Sequence, residues 1–154
     1  MIQNVKKILA PIDFSAHSME AMRGAIELAK DVGAEVHLVH VIAPHHTFVP
    51  LPLGTNAEKS RELAREAAML EQAEEELARI KKDDLGGSQK VVTQAVVGHP
   101  VEKLLNYARE QSIDLILVAT HGRSSIEHML LGGTTERLVR SAPCSVLVFR
   151  QRKQ

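Results

Sequence analysis

Short runs of apolar residues alternate along the chain with longer segments that carry a helical apolar stripe. The run Leu115–Ala119 has no polar break, which is typical of a strand buried on both faces of a parallel sheet. Similar runs predict four further strands: Val5–Ile12, Glu35–Ile42, Lys90–Val97 and Cys144–Arg150. Polar Thr93 and Gln94 predict an edge position for the third strand.

Helices are predicted between these strands. They run from about Ser18 to Val32, from a Thr55-x-x-Glu58 capping box to about Lys82, from Pro100, and from about Thr134 to Ser141. The second of them should bury one stripe: Leu63, Ala67, Leu70, Ala73, Leu77 and Ile80. Strictly alternating strands and helices predict a single α/β domain over 1–154, with a five-stranded parallel sheet between two helical layers. Right-handed crossovers favour the strand order 3-2-1-4-5.

Two candidate binding elements should meet where this strand order reverses. Strands 1 and 4 are neighbours there, and ligands of open α/β sheets bind outside the carboxyl ends of the strands. Asp13 follows strand 1, and Gly122 follows strand 4. Asp13 and Ser15 equally suit the N-terminal cap of the first helix, so both roles stay open.

Glycines flank the polar loop that follows strand 4. Gly122 precedes this loop, and Gly132-Gly133 lead directly into the last helix. Backbone N–H groups at glycines and at a helix N-terminus bind anions such as phosphate. Gly132 should also suit any positive φ that the turn needs. The same glycines equally fit an ordinary strand–loop–helix connection.

Composition narrows the function. Lys+Arg and Asp+Glu number 19 each in the 154 residues, and this balance argues against nucleic-acid or anionic-membrane binding. One Cys excludes an internal disulfide, and no apolar run reaches the roughly 20 residues of a membrane span. The N-terminal segment lacks the apolar core of a signal peptide, so a cytoplasmic location is expected. His45-His46, in a long loop expected to be labile, has no partner at ligand spacing, and no metal site is predicted.

The chain resembles the universal stress protein family over nearly its full length. The resemblance is carried by KKILAPIDFS, VHV, GHP and the block ATHGR…LLGGTTERLVRSAPCSVLVF. It implies a Rossmann-like fold of the adenine nucleotide hydrolase-like type. ATP-binding members have Gly, two residues, Gly, nine residues, Gly, then Ser or Thr. The matching positions are Ala119, Gly122, Gly132 and Gly133, so the first and last depart from the pattern.

The resemblance also implies roles for individual residues. Asp13 would contact the adenosine, Pro11 and Ile12 would shape its pocket, and Val41 would meet the adenine. Ala119 would face the ribose with a methyl group in place of the family's glycine. The phosphates would be surrounded by Gly122, Arg123, Gly132, Gly133 and Thr134, with Thr134 supplying the hydroxyl that Gly133 lacks. Ser15 would reach the phosphates or a bound Mg²⁺.

A homodimer is expected through the last strand. The resemblance implies a two-fold dimer there, and an exposed apolar strand edge invites pairing with another chain. The residues concerned are Ser145, Val146, Leu147, Val148 and Phe149.

Two functions fit these observations. The first is a cytoplasmic, dimeric, ATP-binding stress-response protein that acts through an unidentified regulatory protein partner. The second is a dimeric interaction module that binds no nucleotide, which the departures at Ala119 and Gly133 favour. The resemblance implies at most slow ATP hydrolysis, which occurs in some relatives. No catalytic base or pair of carboxylates is readable beside the glycine segment.

Overall fold

Strands and helices alternate throughout the computed structural model, which describes residues 4–44, 56–83, 90–122 and 131–150. The elements within these ranges are β1 Lys7–Pro11, α1 Ala16–Val32, β2 Glu35–Ile42, α2 Asn56–Asp83, β3 Val91–Val97, α3 Pro100–Glu110, β4 Leu115–Ala119, α4 Gly133–Ser141 and β5 Ser145–Phe149. The predicted α/β class is confirmed.

The strands form one parallel sheet in the predicted order β3-β2-β1-β4-β5. All five residues of β4 are buried, and β3 lies at the edge, as predicted. Ile8 and Leu9 of β1 pair with Leu115 and Ile116 of β4. This register brings the carboxyl ends of β1 and β4 side by side at the centre of the sheet.

Alternate residues of the strands face two separate cores. On one face Ile8, Leu38 and Leu117 pack with Met22 of α1 and Leu77 of α2. The other face packs against α3 and α4, and its core residues include Leu9, Val39, Leu104, Ile116 and Leu138. Both faces of the sheet are therefore covered, which explains why its central strands carry few polar residues.

The predicted buried stripe of α2 is wrong in its first half. Ala73, Leu77 and Ile80 are buried, but Leu63 is 66% exposed, Ala67 is exposed and Leu70 is only half-buried. A 28-residue helix spans about 42 Å, whereas the seven residues of β3 span about 23 Å. The sheet is too short to cover the whole helix.

Helix α1 begins two residues before the predicted start. Ser15 is its N-cap, and the Ser15 hydroxyl accepts a 3.2 Å hydrogen bond from the backbone N–H of Ser18. The helix ends at Val32, as predicted, and Gly33 is its C-cap at φ 71°. The sequence-based predictions on Thr55, on His45-His46 and the lability of the loop that holds them, and on Arg123 lie outside the described residues. No helix in the described ranges is long and apolar enough to cross a membrane.

Candidate functional site

A cavity of about 410 Å³ opens at the carboxyl ends of the central strands. The residues predicted for the site that line it are Pro11, Ile12, Asp13, Val41, Ala119, Gly122, Gly132, Gly133 and Thr134. Ser15 is not part of the lining, and Arg123 lies beyond the described residues. The two elements that the strand order was expected to bring together therefore share one cavity.

The turn after β1 and the turn after β4 touch at Asp13. Asp13 Oδ1 accepts a 3.0 Å hydrogen bond from the backbone N–H of Ser15. A Cβ atom built on Gly122 would lie 2.5 Å from Asp13 Oδ2, so any other residue there would displace the carboxylate. Glycine at position 122 thus allows the second turn to approach the carboxylate.

Two hydrogen bonds hold the beginning of α4 against the end of β4. The backbone N–H of Gly132 donates to the carbonyl oxygen of Thr120 at 2.7 Å, and Thr135 Oγ1 donates to the carbonyl oxygen of Ala119 at 2.8 Å. Gly132 is the N-cap and gives no side-chain cap, so the first N–H groups of the helix have no partner within it. Gly133 and Thr134 carry these groups at the cavity wall, where they can bind an anion.

The positive φ considered for Gly132 is not found. Its φ is −67° and its ψ is 153°, an extended conformation that any residue adopts. A Cβ atom there would meet its nearest neighbour, the carbonyl oxygen of Thr120, at an ordinary 3.5 Å. Neither the backbone conformation nor the space around it within the described residues therefore requires glycine at position 132.

Ser15 and Ser18 hold the turn that carries Asp13. The Ser15 hydroxyl is the helix cap described above, so its capping role is the one that the structure shows. The hydroxyl of Ser18 accepts from the backbone N–H of Asp13 at 3.2 Å and donates to the carbonyl oxygen of Ser15 at 3.1 Å. Both serines therefore fix the backbone on either side of the carboxylate.

The described lining contains no lysine or arginine. Anion binding by these residues would thus depend on backbone N–H groups, on the hydroxyl of Thr134 and on the dipole of α4. His121 lines the cavity, and its ring centroid lies 6.0 Å from that of His17. Across the described ranges no three His, Cys, Asp or Glu side chains gather to hold a metal ion.

Eleven lining residues were not among those predicted for the site: Ser18, Val39, His40, Ile42, Ala43, Met69, Pro100, Leu104, Val118, His121 and Thr135. Thr135 follows a predicted phosphate residue, and its place at a helix start was a usable signal. His40 had none, because it stands in a strand whose other residues are mostly apolar. Met69 lies on α2, and the helical periodicity of α2 does not predict that this helix reaches the cavity.

Tyr107 and Cys144 lie away from the cavity, and both have raised pKa values. Burial, and then the charge of Glu35, raises the pKa of Tyr107 above its ordinary value. Burial, and then the charge of Asp114, raises the pKa of the Cys144 thiol. A raised pKa leaves little reactive thiolate at neutral pH, which favours a packing role for Cys144 over a nucleophilic one.

Comparisons with known proteins define the class. Residues 4–150 match the model of the universal stress protein family, and the chain therefore belongs to that family. It is 36% identical over 149 residues to universal stress protein MJ0531 of Methanocaldococcus jannaschii. This alignment covers 97% of this chain and 84% of that protein.

Solved structures share the fold. The structure of hypothetical protein MJ0577 aligns with a TM-score of 0.82 and 27% identity, over 97% of this chain and 99% of that one. A universal stress protein in complex with cAMP aligns with a TM-score of 0.61 and 22% identity, over 95% of this chain and 97% of its own.

Proposed function

We propose that this chain binds an adenine nucleotide in the cavity and acts as a homodimeric stress-response protein. The observation that carries the proposal is the convergence of Asp13, Gly122 and the uncapped N-terminus of α4 on one cavity. Its volume of about 410 Å³ lies within the usual range of small-ligand sites. The family's cAMP complex supports the choice of ligand class only by analogy of fold.

The residues suit the three parts of a nucleotide. The N–H groups at the start of α4 would receive the phosphates, because they are donors that the helix itself leaves unpaired. The carboxylate of Asp13 would accept hydrogen bonds from ribose hydroxyl groups. Val41 and Met69 contribute apolar groups to the cavity lining, and the adenine would pack against them.

ATP is the proposed nucleotide, with Mg²⁺ where a triphosphate is bound. Mg²⁺ usually keeps several waters and takes one or two carboxylates together with the phosphates. Among the described lining residues, Asp13 alone carries a carboxylate, so most of the ion's ligands would come from water and phosphate. Arg123 is proposed to offset part of the phosphate charge.

The proposed dimer forms through β5. This strand is at the sheet edge in the structure, and Leu147 is 43% exposed there. A regulatory partner would recognise the nucleotide-bound dimer, if binding changes the population of its conformations. A cytoplasmic location remains the prediction drawn from the composition.

A nucleotide-free interaction module is the second candidate. Ala119 favours it, because the methyl group is buried at the cavity wall where a ribose would approach. Gly133 favours it by lacking a hydroxyl, although a Cβ atom there would have no neighbour within 4 Å. The structure therefore leaves room to restore the family's serine without disturbing the fold.

Calorimetry with ATP decides between the two candidates. Wild type should bind, and the double variant Ala119→Gly, Gly133→Ser should bind more tightly. One added hydrogen bond to a charged phosphate is worth roughly 1.5–3 kcal/mol, about tenfold or more in affinity. Binding by the double variant alone would show that the natural chain is the nucleotide-free module.

A further inference from the structure

Asp13 is presented by a turn whose backbone is strained. The next residue, Phe14, has a φ of 63°, a left-handed conformation that bulky side chains rarely adopt. Such a conformation persists only where the surrounding structure holds it. The contacts of this turn therefore determine where the carboxylate of Asp13 lies.

His40 of β2 makes two of these contacts. Its Nδ1 lies 2.7 Å from the carbonyl oxygen of Ile12, and its ring centroid lies 4.5 Å from that of Phe14. Since a carbonyl oxygen can only accept, Nδ1 carries the hydrogen and donates it. The imidazole thus holds the turn on both sides of Asp13.

These contacts complement those made by α1. The backbone groups of Asp13 and Ser15 and the hydroxyl of Ser18 tie the turn to the start of that helix. His40 instead ties the turn to the sheet, next to the 3.0 Å bond from the N–H of Ile12 to the carbonyl oxygen of Val39. Without His40 the turn would keep its helix contacts but lose a side-chain contact that fixes its height above the sheet.

The position of this turn matters because the space around the carboxylate is tight. Gly122 packs against Asp13 Oδ2 so closely that a Cβ atom on it would displace the carboxylate. A shift of the turn by a fraction of an ångström therefore changes how the carboxylate meets both Gly122 and any ligand in the cavity.

We propose that His40 is a positioning residue of the nucleotide site, which holds the strained turn so that Asp13 faces the ligand. The inference rests on the proposed function, because it assigns Asp13 to the nucleotide. It adds His40 to the residues that form the site. His40 would act on the ligand through the turn that it holds, not through a charge of its own.

A double-mutant cycle on ATP affinity tests this role. His40→Leu replaces the ring with an apolar side chain that cannot donate to the carbonyl oxygen of Ile12. Asp13→Asn removes the carboxylate charge. We expect His40→Leu to weaken ATP binding at least tenfold in the wild-type background, and by less than twofold in the Asp13→Asn background. His40→Asn, which retains an N–H donor, should recover most of the wild-type affinity.

His37→Leu is the matched control. His37 is a histidine of the same strand, and its ring nitrogens pair with Tyr107 and Glu35 on the other face of the sheet. This variant should bind ATP within twofold of wild type while it remains folded, because His37 does not line the cavity.

Nitrogen-resolved NMR of the imidazole rings provides a test without nucleotide. His40 should be present as the Nδ1–H tautomer, and the amide signals of Asp13, Phe14 and Ser15 should shift in His40→Leu. The tautomer is read in the wild-type protein, so an Nε2–H ring would overturn the proposal even if His40→Leu fails to fold.

Three results would overturn the positioning role and leave the proposed function standing. They are unchanged ATP affinity in His40→Leu, an equal loss in both backgrounds, or an Nε2–H tautomer for His40. A wild-type protein that binds no adenine nucleotide would overturn both.

Discussion

At the residue scale, a buried polar pair connects β2 to α3. His37 is 2% exposed, its Nε2 lies 2.7 Å from Glu35 Oε1, and its Nδ1 lies 2.7 Å from the hydroxyl of Tyr107. A carboxylate accepts from Nε2–H, so Nδ1 of the neutral ring accepts from Tyr107. The two histidines of β2 that contact neighbouring elements, His37 and His40, therefore hold opposite tautomers.

Tyr107→Phe should destabilise the protein by about 1–3 kcal/mol, because it leaves the buried Nδ1 of His37 without a donor. Urea unfolding at neutral pH measures this loss. A change below about 0.5 kcal/mol would show that the bond contributes nothing beyond packing.

The raised pKa of Tyr107 makes stability depend on pH. The folded state keeps the phenolic proton over a range where the unfolded chain has lost it, so this contribution is complete below about pH 10 and is lost as the pH rises through the folded-state value. Tyr107 is the single tyrosine of the chain, so tyrosinate absorbance follows it alone. The alkaline decline in unfolding free energy should be smaller in Tyr107→Phe; equal declines would contradict the assignment.

At the element scale, α2 shows what periodicity can and cannot predict. Its repeat correctly identified the face that holds Ala73, Leu77 and Ile80. The same repeat could not show where the sheet ends, because helical periodicity carries no information about the length of the partner surface. The exposure of Leu63 is therefore a property of the assembled layers.

Leu77→Ala and Leu63→Ala form a matched pair on this helix. Leu77 is 1% exposed, and its truncation should cost about 2–5 kcal/mol. Leu63 is 66% exposed, so its truncation should change stability by less than about 0.5 kcal/mol. Equal losses in urea unfolding would show that the first half of α2 is covered in solution.

At the scale of the whole molecule, the order of elements was predictable and the detail of the site only partly so. Alternation together with right-handed crossovers predicts that the turns after β1 and β4 meet, and Asp13 and Gly122 do meet. The roles of His40 and Thr135 depend on hydrogen bonds to carbonyl groups 28 and 16 residues away in the chain. A local pattern cannot reveal such pairs, since they arise only when the sheet is assembled.

The two edges of the sheet permit a controlled test of the dimer. Val148→Lys on β5 should give a monomer or an insoluble protein, because a charge would enter the proposed strand pairing. Val92→Lys on β3, at the opposite edge, should leave the assembly unchanged. Light scattering reads both, and a monomeric wild type at micromolar concentration would rule out the dimer.

The central claim is that phosphates bind at the start of α4, and Gly132→Val tests it most directly. The fold accepts a side chain here, because φ is −67° and the nearest contact of a Cβ atom is 3.5 Å. The valine side chain would occupy the space proposed for the phosphates. Calorimetry with ATP should show binding by wild type and none by a folded Gly132→Val. Equal binding by the two proteins would show that the phosphates do not lie there.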